Sequence, residues 1–358
     1  MTGTVARAVM ARGAAPSRLE VEIPDPAGNQ VLVRIAAVGV CHTDLTLAAQ
    51  WPEQGLPVIL GHEGAGTVEA LGPEATGLAV GERVCLTFDS CGACEFCAGG
   101  TPGYCDQAIT RNYLGIPGIR SGDTPVTGGF FGQSSFAGYA LATDRNVIPI
   151  GELPFELAAP LGCSVQTGVG TVTRALRVQP GESVVVFGTG AVGLAAVMGA
   201  VLAGATTIVA VDPRADRREL ALQLGATHAV EAGPQAAQQV IEATGGGAHA
   251  AVDTTARPEV LAQAVLTLRP RGSLAVVGLG AASAELPVML IMTRGLRVIG
   301  VIEGDSDPAE FLPELARAVA DGRLPVDRIV TTFTDFDQAW VAAKEGTAVK
   351  PVWIPKAG

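Results

Sequence analysis

The sequence predicts an α/β protein in which a doubly wound parallel sheet is inserted into an irregular β-rich domain. The chain has 358 residues, more than one small hydrophobic core usually serves. Its middle alternates short β-branched runs with helical stretches, whereas the part before it has short strands separated by glycine and proline turns. We therefore expect the doubly wound domain over residues 165–302 and the β-rich domain over residues 1–164 and 303–358.

The alternation in the middle begins with the strand SVVVFG and the helix AVGLAAVMGAVLAG, followed by the strand TTIVAVD and the helix ADRRELALQLG. The segments HAV, AQQVIEAT, AHAAVDTT, PEVLAQAVLTL and GSLAVVGLG continue it, and LRVIGVIEG supplies a sixth strand. Residues 183–211 are uncharged and long enough to span a bilayer. Their glycines and β-branched runs favour a buried strand–helix–strand unit instead.

The β-rich domain is predicted from strands such as QVLVRIAAVGVC, AGTVEALG and GERVCLTF, which glycine and proline turns separate. After residue 302 come two helical stretches, DPAEFLPELARAVADG and TDFDQAWVAAKEG, and then the strand VKPVWI. We expect this C-terminal segment to return and pack on the first domain.

Composition and charge limit the partners and the compartment. Hydrophobic residues make up 48% of the chain and charged residues 16%, so a large core is available. The net charge of −11 argues against binding to nucleic acid or to an acidic membrane. The start, MTGTVARAVMARG, lacks the apolar core of a secretory signal, which predicts a cytoplasmic protein with reduced thiols.

Four of the seven cysteines lie in one short loop with the spacing C-x2-C-x2-C-x7-C: Cys91, Cys94, Cys97 and Cys105. A turn-rich loop with this spacing favours a structural zinc held by four thiolates. An iron–sulfur cluster remains the alternative, although the ferredoxin pattern has a closer fourth cysteine followed by proline. Disulfides are less favoured. Four thiolates leave no open coordination position, so the chemistry must lie elsewhere.

The other cysteines and two histidines lie in glycine-rich motifs. GVCHTDL carries Cys41, LGHEGAG carries His62 and Glu63, and PLGCSVQTG carries Cys163. Each cysteine alone is more often a small core residue, and each histidine alone more often a satisfied side chain. We interpret Cys85 as a core residue.

The stretch VVVFGTGAVG ends a predicted strand and opens a helix, and Gly188, Gly190 and Gly193 form G-x-G-x-x-G within it. In a βαβ unit this pattern lets a dinucleotide pyrophosphate approach the helix N-terminus. Asp212 ends the next strand, where a carboxylate binds ribose hydroxyls and repels a 2′-phosphate. This favours NAD over NADP, although the nearby Arg214 could weaken the preference.

Five motifs occur in the order typical of zinc-dependent medium-chain alcohol dehydrogenases: GVCHTD, GHEGAGTV, the four-cysteine loop, GCSVQTG and GTGAVG. The resemblance covers essentially the whole chain. FFGQSSFAGYA and EGDSDPAEFLPEL are most similar to the bacterial aryl (benzyl) alcohol dehydrogenases. The resemblance implies a GroES-like catalytic domain, a Rossmann cofactor domain, two zinc ions per chain, and a homodimer or homotetramer.

The resemblance also implies the catalytic zinc ligands, which are Cys41, His62 and Cys163, with water or the substrate oxygen in the fourth position. Asp44 resembles the carboxylate that orients the ligand histidine. Glu63 matches an acid that can approach the zinc when its ligands exchange.

Further roles are implied at the substrate oxygen and the cofactor. Thr43 resembles a hydroxyl that hydrogen-bonds the substrate oxygen and takes its proton. Thr46 stands where the best-known members have a relay histidine, so the proton path must end otherwise. His42 resembles a residue on the cofactor pyrophosphate, and Thr167 one beside the nicotinamide. A fifth residue, Lys350, lies near where the family places a basic group on the cofactor phosphates.

The expected activity is the reversible NAD-dependent oxidation of primary aromatic or allylic alcohols to aldehydes. Trp51 and Phe88 are the candidate pocket residues. An enzymatic alternative is a thiol-adduct formaldehyde dehydrogenase of the same fold. A non-enzymatic alternative is a quinone-oxidoreductase-like or structural relative without its metal, against which the intact ligand set argues.

Overall fold

A computed structural model describes residues 1–355, and these divide into two compact units. The first unit comprises Met1–Cys163, Asp307–Gly322 and the residues from Val326 onward. The second unit comprises Ser164–Ser306 and Arg323–Pro325. The chain thus leaves the first unit after Cys163, and its C-terminal segments belong to that unit again.

Short strands dominate the part of the chain before residue 164. Its strands are β1 (Thr2–Val9), β2 (Ser17–Ile23), β3 (Gln30–Gly39), β4 (Val58–Ile59), β5 (Gly64–Leu71), β6 (Arg83–Leu86), β7 (Arg120–Ser121), β8 (Thr124–Pro125), β9 (Tyr139–Thr143) and β10 (Val147–Pro149). Its α-helices are α1 (His42–Gln50), α2 (Glu95–Ala98), α3 (Ala108–Tyr113) and α4 (Phe155–Ala158).

Strands and helices alternate after residue 163. The helices there are α5 (Ser164–Gly170), α6 (Ala191–Leu202), α7 (Ala215–Gln223), α8 (Ala236–Ala243), α9 (Pro258–Leu266) and α10 (Val288–Arg294). The strands are β11 (Ser183–Phe187), β12 (Thr207–Asp212), β13 (His228–Glu231), β14 (Ala248–Asp253), β15 (Leu268–Val276) and β16 (Arg297–Gly300). The described chain then closes with α11 (Pro308–Ala320), β17 (Val330–Phe333), α12 (Phe336–Glu345) and β18 (Lys350–Trp353).

The first unit contains two sheets. One has five strands in the order β4-β1-β2-β7-β8, and the other has seven, in the order β10-β6-β5-β3-β18-β17 with β9 also paired to β3. Asp307 and Asp335 cap α11 and α12 by accepting backbone N–H groups with their side chains. The C-terminal strand β18 pairs antiparallel with β3, with Val352 opposite Gly39. The last segment of the chain therefore reaches the strand that leads to Cys41.

The second unit is built on a parallel sheet of six strands in the order β13-β12-β11-β14-β15-β16. The central strand β11 is buried along its whole length, as its run of β-branched residues predicts. The strand order reverses at β11, which is where a doubly wound sheet binds its ligand, outside the carboxyl ends of the strands.

The uncharged residues 183–211 form β11, α6 and most of β12, as the sequence predicted. Among residues 1–355, no helix is both long enough and apolar enough to cross a membrane.

Candidate functional site

The first unit brings together one ligand atom from each of Cys41, His62, Glu63 and Cys163, all within 4.8 Å of one another. Cys41 follows β3 and caps α1, whereas His62 and Glu63 come directly before β5. Because β3 and β5 pair antiparallel, the ends of these two strands are held side by side. The resulting cluster is almost wholly excluded from solvent.

Asp44 holds the segments that carry Cys41 and His62. Its Oδ1 atom lies 3.0 Å from His62 Nδ1 and accepts the N–H of Gly61 at 3.0 Å. Its Oδ2 atom accepts the N–H of Cys41, also at 3.0 Å. Asp44 is fully buried, so this carboxylate fixes the orientation of the His62 imidazole.

The donor set of the cluster fits a zinc ion. The buried His62 Nε2 atom has no hydrogen-bond partner among the described residues. A buried ring nitrogen without a hydrogen-bond partner destabilises a folded protein. The same nitrogen is available to coordinate a metal ion. Two thiols and one such nitrogen match a catalytic zinc set that leaves one coordination position open.

The electrostatics of the cluster favour the thiolate of Cys41, which is the ligand form of cysteine, whereas they favour the protonated form of His62. A hydrogen bond to Cys163 holds the pKa of the Cys41 thiol well below its usual range, against the opposing effect of burial, and the charges of Lys350 and His62 lower it further. Burial lowers the pKa of His62, but the negative charges of Asp44 and Cys41 outweigh it and raise that pKa well above its ordinary value.

Glu63 is paired with Lys350 rather than exposed to solvent. The two side chains are 0% and 2% exposed, and Lys350 Nζ lies 2.8 Å from Glu63 Oε1. Burial alone would lower the pKa of Lys350, but the carboxylate of Glu63 raises it above its ordinary value, so the ammonium stays charged. The sequence analysis expected Lys350 on the cofactor phosphates. The structure gives this buried ammonium a different partner.

The four cysteines of the loop also converge, with their sulfur atoms within 4.8 Å of one another. Cys94 Sγ lies 3.5 Å from Cys97 Sγ, and all seven cysteines are free of disulfides. Backbone N–H groups of Ala93 and Cys94 donate to the Cys91 sulfur and lower its pKa to about 6. Four thiols near one point, with N–H groups directed at them, fit a closed tetrathiolate metal site.

Polar residues that the sequence analysis did not single out fix this loop to the rest of the unit. The carboxylate of Asp89 accepts a hydrogen bond from Arg111 Nη1 at 2.9 Å, and the backbone N–H of Asp89 donates to Asn112 Oδ1 at 2.8 Å. Arg145 Nε donates to the Ser90 carbonyl at 3.1 Å. These contacts tie the two ends of the cysteine segment to each other and to the turn between β9 and β10.

Gln133 links the ligand-bearing segments of the buried cluster. Its Nε2 atom donates to the carbonyl oxygens of His62 and Thr87 at 3.0 and 3.1 Å. The Thr87 hydroxyl donates to the carbonyl of Gly162, which directly precedes Cys163, at 2.7 Å. The sequence contained only a weak signal for this role, a glutamine within FFGQSSFAGYA.

Aromatic rings surround the His62 imidazole. The Phe131 and Phe130 ring centroids lie 4.7 and 5.4 Å from it, and Trp51 makes an edge contact with Phe130 at 5.9 Å. Phe131 has a φ of 52°, which is unusual for a bulky residue. Trp51, which is predicted to line the substrate pocket, thus contacts a ring that lies beside His62. Phe88 is buried in the segment that follows β6, whereas Phe130 and Phe131 were not anticipated.

The remaining candidates of this unit lie on the first turns of α1. Thr43 Oγ1 is 3.8 Å from Cys41 Sγ and is partly buried, which places its hydroxyl beside the metal cluster. His42 is exposed and Thr46 is partly buried. Of the three, Thr43 alone has a described contact with the cluster.

The predicted glycine turn follows β11. Gly188 has a φ of 84°, and Gly190 caps α6 with open space where a Cβ would lie. A Cβ at Gly193 would come within 1.8 Å of the Gly188 carbonyl oxygen, so this position requires glycine. The Thr189 hydroxyl is buried and has no hydrogen-bond partner among residues 1–355. The turn fits a pyrophosphate at the N-terminus of α6.

Asp212 ends β12 beside this turn. Its Oδ2 atom accepts the N–H of Thr189 at 2.7 Å, and its Oδ1 atom accepts the N–H of Arg214 at 2.9 Å. The guanidinium of Arg214 is paired with Asp216 at 2.7 Å. The carboxylate is therefore held in place by backbone donors, while the guanidinium of Arg214 is paired with another carboxylate.

Thr167 lies on α5 and is 7% exposed. Its hydroxyl donates to Glu303 Oε2 at 3.3 Å. The same oxygen accepts from Gln166 Nε2 at 2.8 Å. The sequence analysis did not select Glu303, although it opens the quoted segment EGDSDPAEFLPEL.

Two domain families match this chain. The alcohol dehydrogenase GroES-like domain matches residues 27–152, and the zinc-binding dehydrogenase domain matches residues 191–320. These matches confirm the predicted fold class, in which a GroES-like β-rich domain is joined to a Rossmann-like parallel-sheet domain.

Individual proteins resemble the chain along nearly its full length. The geraniol dehydrogenase of Castellaniella defragrans is 41% identical over 363 residues, which cover 97% of this chain and 96% of the relative. An alcohol dehydrogenase zinc-binding domain protein from Burkholderia ambifaria superposes with a TM-score of 0.95 at 43% identity, covering 99% of each chain. The benzyl alcohol dehydrogenase of Acinetobacter calcoaceticus gives 0.94 at 39% identity, again over 99% of each chain.

Proposed function

The chain belongs to the zinc-binding alcohol dehydrogenase family, and from this we propose that it oxidises primary aromatic or allylic alcohols reversibly to aldehydes with NAD. As a member of the family it is an oxidoreductase. The observation that carries the proposal is the buried set of Cys41, His62 and Cys163, in which the Nε2 atom of His62 lacks a hydrogen-bond partner in the described chain. We propose zinc at this set and at the four-cysteine loop.

The residues around the metal set position the alcohol and move its proton. Bound zinc would supply a Lewis acid for the alcohol oxygen, and NAD would accept the hydride. Asp44 holds the His62 imidazole in its ligating orientation. The Thr43 hydroxyl, next to Cys41, accepts a hydrogen bond from the alcohol O–H; as it takes that proton it gives its own hydroxyl proton to a water molecule, so it acts as a relay and not as a base. Thr46 cannot act as a base at neutral pH, so we propose that the proton passes to solvent through water.

The dinucleotide is assigned to the second unit. The turn of Gly188, Gly190 and Gly193 would hold the pyrophosphate, and the Asp212 carboxylate the adenosine ribose. The same carboxylate would repel a 2′-phosphate, which is the basis for proposing NAD rather than NADP. His42 beside the pyrophosphate and Thr167 beside the nicotinamide complete the proposed set.

The proposed substrate class rests on the aromatic surroundings of His62. Trp51, Phe130 and Phe131 present apolar rings there, and burying apolar surface contributes about 25 cal/mol per Å². A benzyl ring or an isoprenoid chain gains from such a surface, whereas ethanol has little to bury. Two similar proteins are named for geraniol and benzyl alcohol, an allylic and an aromatic alcohol.

A substrate panel tests the proposal. NADH formation would be measured with benzyl, cinnamyl and geranyl alcohol, with ethanol, and with formaldehyde in the presence and absence of a low-molecular-weight thiol. We expect a far higher kcat/KM for the first three alcohols, mostly through KM, and a smaller gap in Trp51→Ala. Turnover of the thiol adduct alone would replace the proposal with the formaldehyde dehydrogenase alternative.

We also propose a cytoplasmic homodimer or homotetramer. The expected division is a catalytic domain of residues 1–164 and 303–358 and a cofactor domain of residues 165–302, whereas the compact units of the structure assign Ser164, residues 303–306 and Arg323–Pro325 to the second unit. Light scattering on the purified protein measures the subunit number, and limited proteolysis tests the bounds. A monomer at micromolar concentration would contradict the proposed assembly.

A further inference from the structure

Glu303 is a buried acidic residue of the second unit that the proposed chemistry does not use. Its side chain is 8% exposed, and its Oε2 atom accepts from Gln166 Nε2 at 2.8 Å and from the Thr167 hydroxyl at 3.3 Å. Gln166 and Thr167 both lie on α5, the helix that carries the proposed nicotinamide neighbour. The carboxylate therefore fixes the orientation of the Thr167 side chain.

The backbone holds this carboxylate in place at a conformational cost. Glu303 has a φ of 50°, in the left-handed region that non-glycine residues rarely adopt. Its carbonyl accepts the Ser306 hydroxyl at 2.9 Å. The next residue, Gly304, packs so closely on Gly170 of α5 that a Cβ on Gly170 would lie 2.6 Å from the Gly304 carbonyl oxygen. Tight packing on α5 thus keeps a strained residue in position.

The sheet topology places Glu303 on the nicotinamide side of the proposed site. Asp212 ends β12 on one side of β11, and Glu303 follows β16 on the other side. A dinucleotide with its pyrophosphate on the turn after β11 and its adenosine ribose on Asp212 directs its other half towards β14, β15 and β16. Helix α5 also touches this turn region, since a Cβ at Gly168 would lie 2.3 Å from the Val192 carbonyl oxygen.

Resting on the proposed function, we propose that Glu303 is a positioning residue for Thr167 whose negative charge also favours bound NAD⁺ over bound NADH. The nicotinamide ring is positively charged when oxidised and neutral when reduced. A carboxylate on that side of the site stabilises the oxidised form alone, and its burial limits screening by salt. Glu303 thereby favours binding of NAD⁺, which is the oxidant in the proposed alcohol reaction.

The test is Glu303→Gln, which removes the charge and keeps a side-chain oxygen for Gln166 and Thr167. Glu242→Gln is the matched control, because Glu242 is an exposed residue of the same unit that also accepts from a glutamine, Gln238 Nε2, at 2.8 Å. Dissociation constants are measured for NADH by its fluorescence and for NAD⁺ by competition.

In Glu303→Gln we expect the ratio Kd(NAD⁺)/Kd(NADH) to rise roughly three- to tenfold, the range for a unit charge acting through a partly solvated interior. The ratio should not change in Glu242→Gln. An unchanged ratio in Glu303→Gln, or an equal loss of affinity for both nucleotides, would overturn the inference, since a purely structural residue would act on both forms alike.

Glu303→Asp provides an independent test if the glutamine variant does not fold. It keeps the charge and shortens the side chain, so the ratio should stay within about twofold of wild type even if both affinities fall. A clear shift in this ratio would contradict the inference. A wild-type protein that binds neither nucleotide would overturn the proposed cofactor as well, whereas normal NAD⁺ binding with unaltered ratios would overturn only the role of Glu303.

Discussion

The two cysteine groups of the first unit differ in how far apart their ligands lie in the chain and in how deeply they are buried. The loop group lies between Cys91 and Cys105, and three of its sulfurs are on partly exposed residues. The other group draws on residues from Cys41 to Cys163 and is almost wholly buried. The loop can form its site locally, whereas the buried group exists only when β3 and β5 have paired.

This difference separates the expected roles. A local site with four thiolates is closed and contributes to stability. A site assembled from distant segments, with three ligands, a fixed imidazole and aromatic walls, keeps one position for a reacting oxygen. Removing a ligand should therefore have different consequences in the two groups. In the buried group it should lower activity, and in the loop group it should lower stability.

The largest effect is expected for Cys163→Ala. Loss of this ligand should remove one of two zinc ions and lower kcat/KM by more than the roughly 10²–10⁴-fold that a general acid–base group contributes. The fold should persist, because the four-cysteine loop and the second unit are untouched. Metal analysis, circular dichroism and alcohol-dependent NADH formation check this, and near-normal activity would show that the buried group is not the catalytic site.

The next-largest effect on activity is expected for one of two threonines on α1, Thr43 but not Thr46. Thr43→Ala removes the hydroxyl 3.8 Å from the Cys41 sulfur and should lower kcat by roughly 10²–10⁴-fold at unchanged zinc content. Thr46→Ala should change kcat by less than about threefold, because a threonine there cannot carry a proton as a histidine would. Steady-state kinetics on both variants measure these changes in kcat. A large loss at Thr46 alone would mean that the proton takes another route.

A smaller effect is expected in the second unit. Asp212→Gly removes the carboxylate that Thr189 and Arg214 hold by their N–H groups. We expect kcat/KM with NAD to fall about tenfold and the NADP/NAD ratio of kcat/KM to rise, because the charge no longer repels a 2′-phosphate. Assays with both cofactors measure this ratio. A wild-type preference for NADP would refute the assignment of Asp212.

These regions also differ in how much of them could be predicted from sequence. The cysteine loop and the glycine turn are local, so their residue types and spacing are sufficient to predict them. The Glu63–Lys350 pair is not local: it joins residues 287 positions apart and forms because β18 pairs with β3. The family resemblance predicts a cofactor role for Lys350, and no local pattern encodes the strand register that pairs it with Glu63.

The roles of Gln133 and Glu303 could not be predicted for a related reason. Each is a polar residue in a quoted motif, but its function depends on which backbone or side-chain groups surround it after folding. Gln133 finds the carbonyls of His62 and Thr87, and Glu303 finds donors on α5. Composition shows that such residues are present, and only packing shows that they are buried and satisfied.

The smallest effect on activity, and the sharpest contrast with Cys163→Ala, is expected for Cys97→Ser. The Cys97 sulfur lies 3.5 Å from that of Cys94 and 3.9 Å from that of Cys91, so a serine there breaks a closed site. Zinc content should fall from two to one per chain. The melting temperature of the first unit should fall by at least about 5 °C, because loss of a metal is among the large destabilising changes and each kcal/mol is worth roughly 2–4 °C in a domain of about 150–250 residues. Since Asp89, Asn112 and Arg145 hold the loop independently of its metal, kcat per folded molecule at 25 °C should stay within about twofold of wild type.

Metal analysis, differential scanning calorimetry and active-site-normalised kinetics on Cys97→Ser measure the zinc content, the melting temperature and kcat together. Iron instead of zinc would support the iron–sulfur alternative, and loss of both zinc ions would mean that the local site is needed to build the distant one.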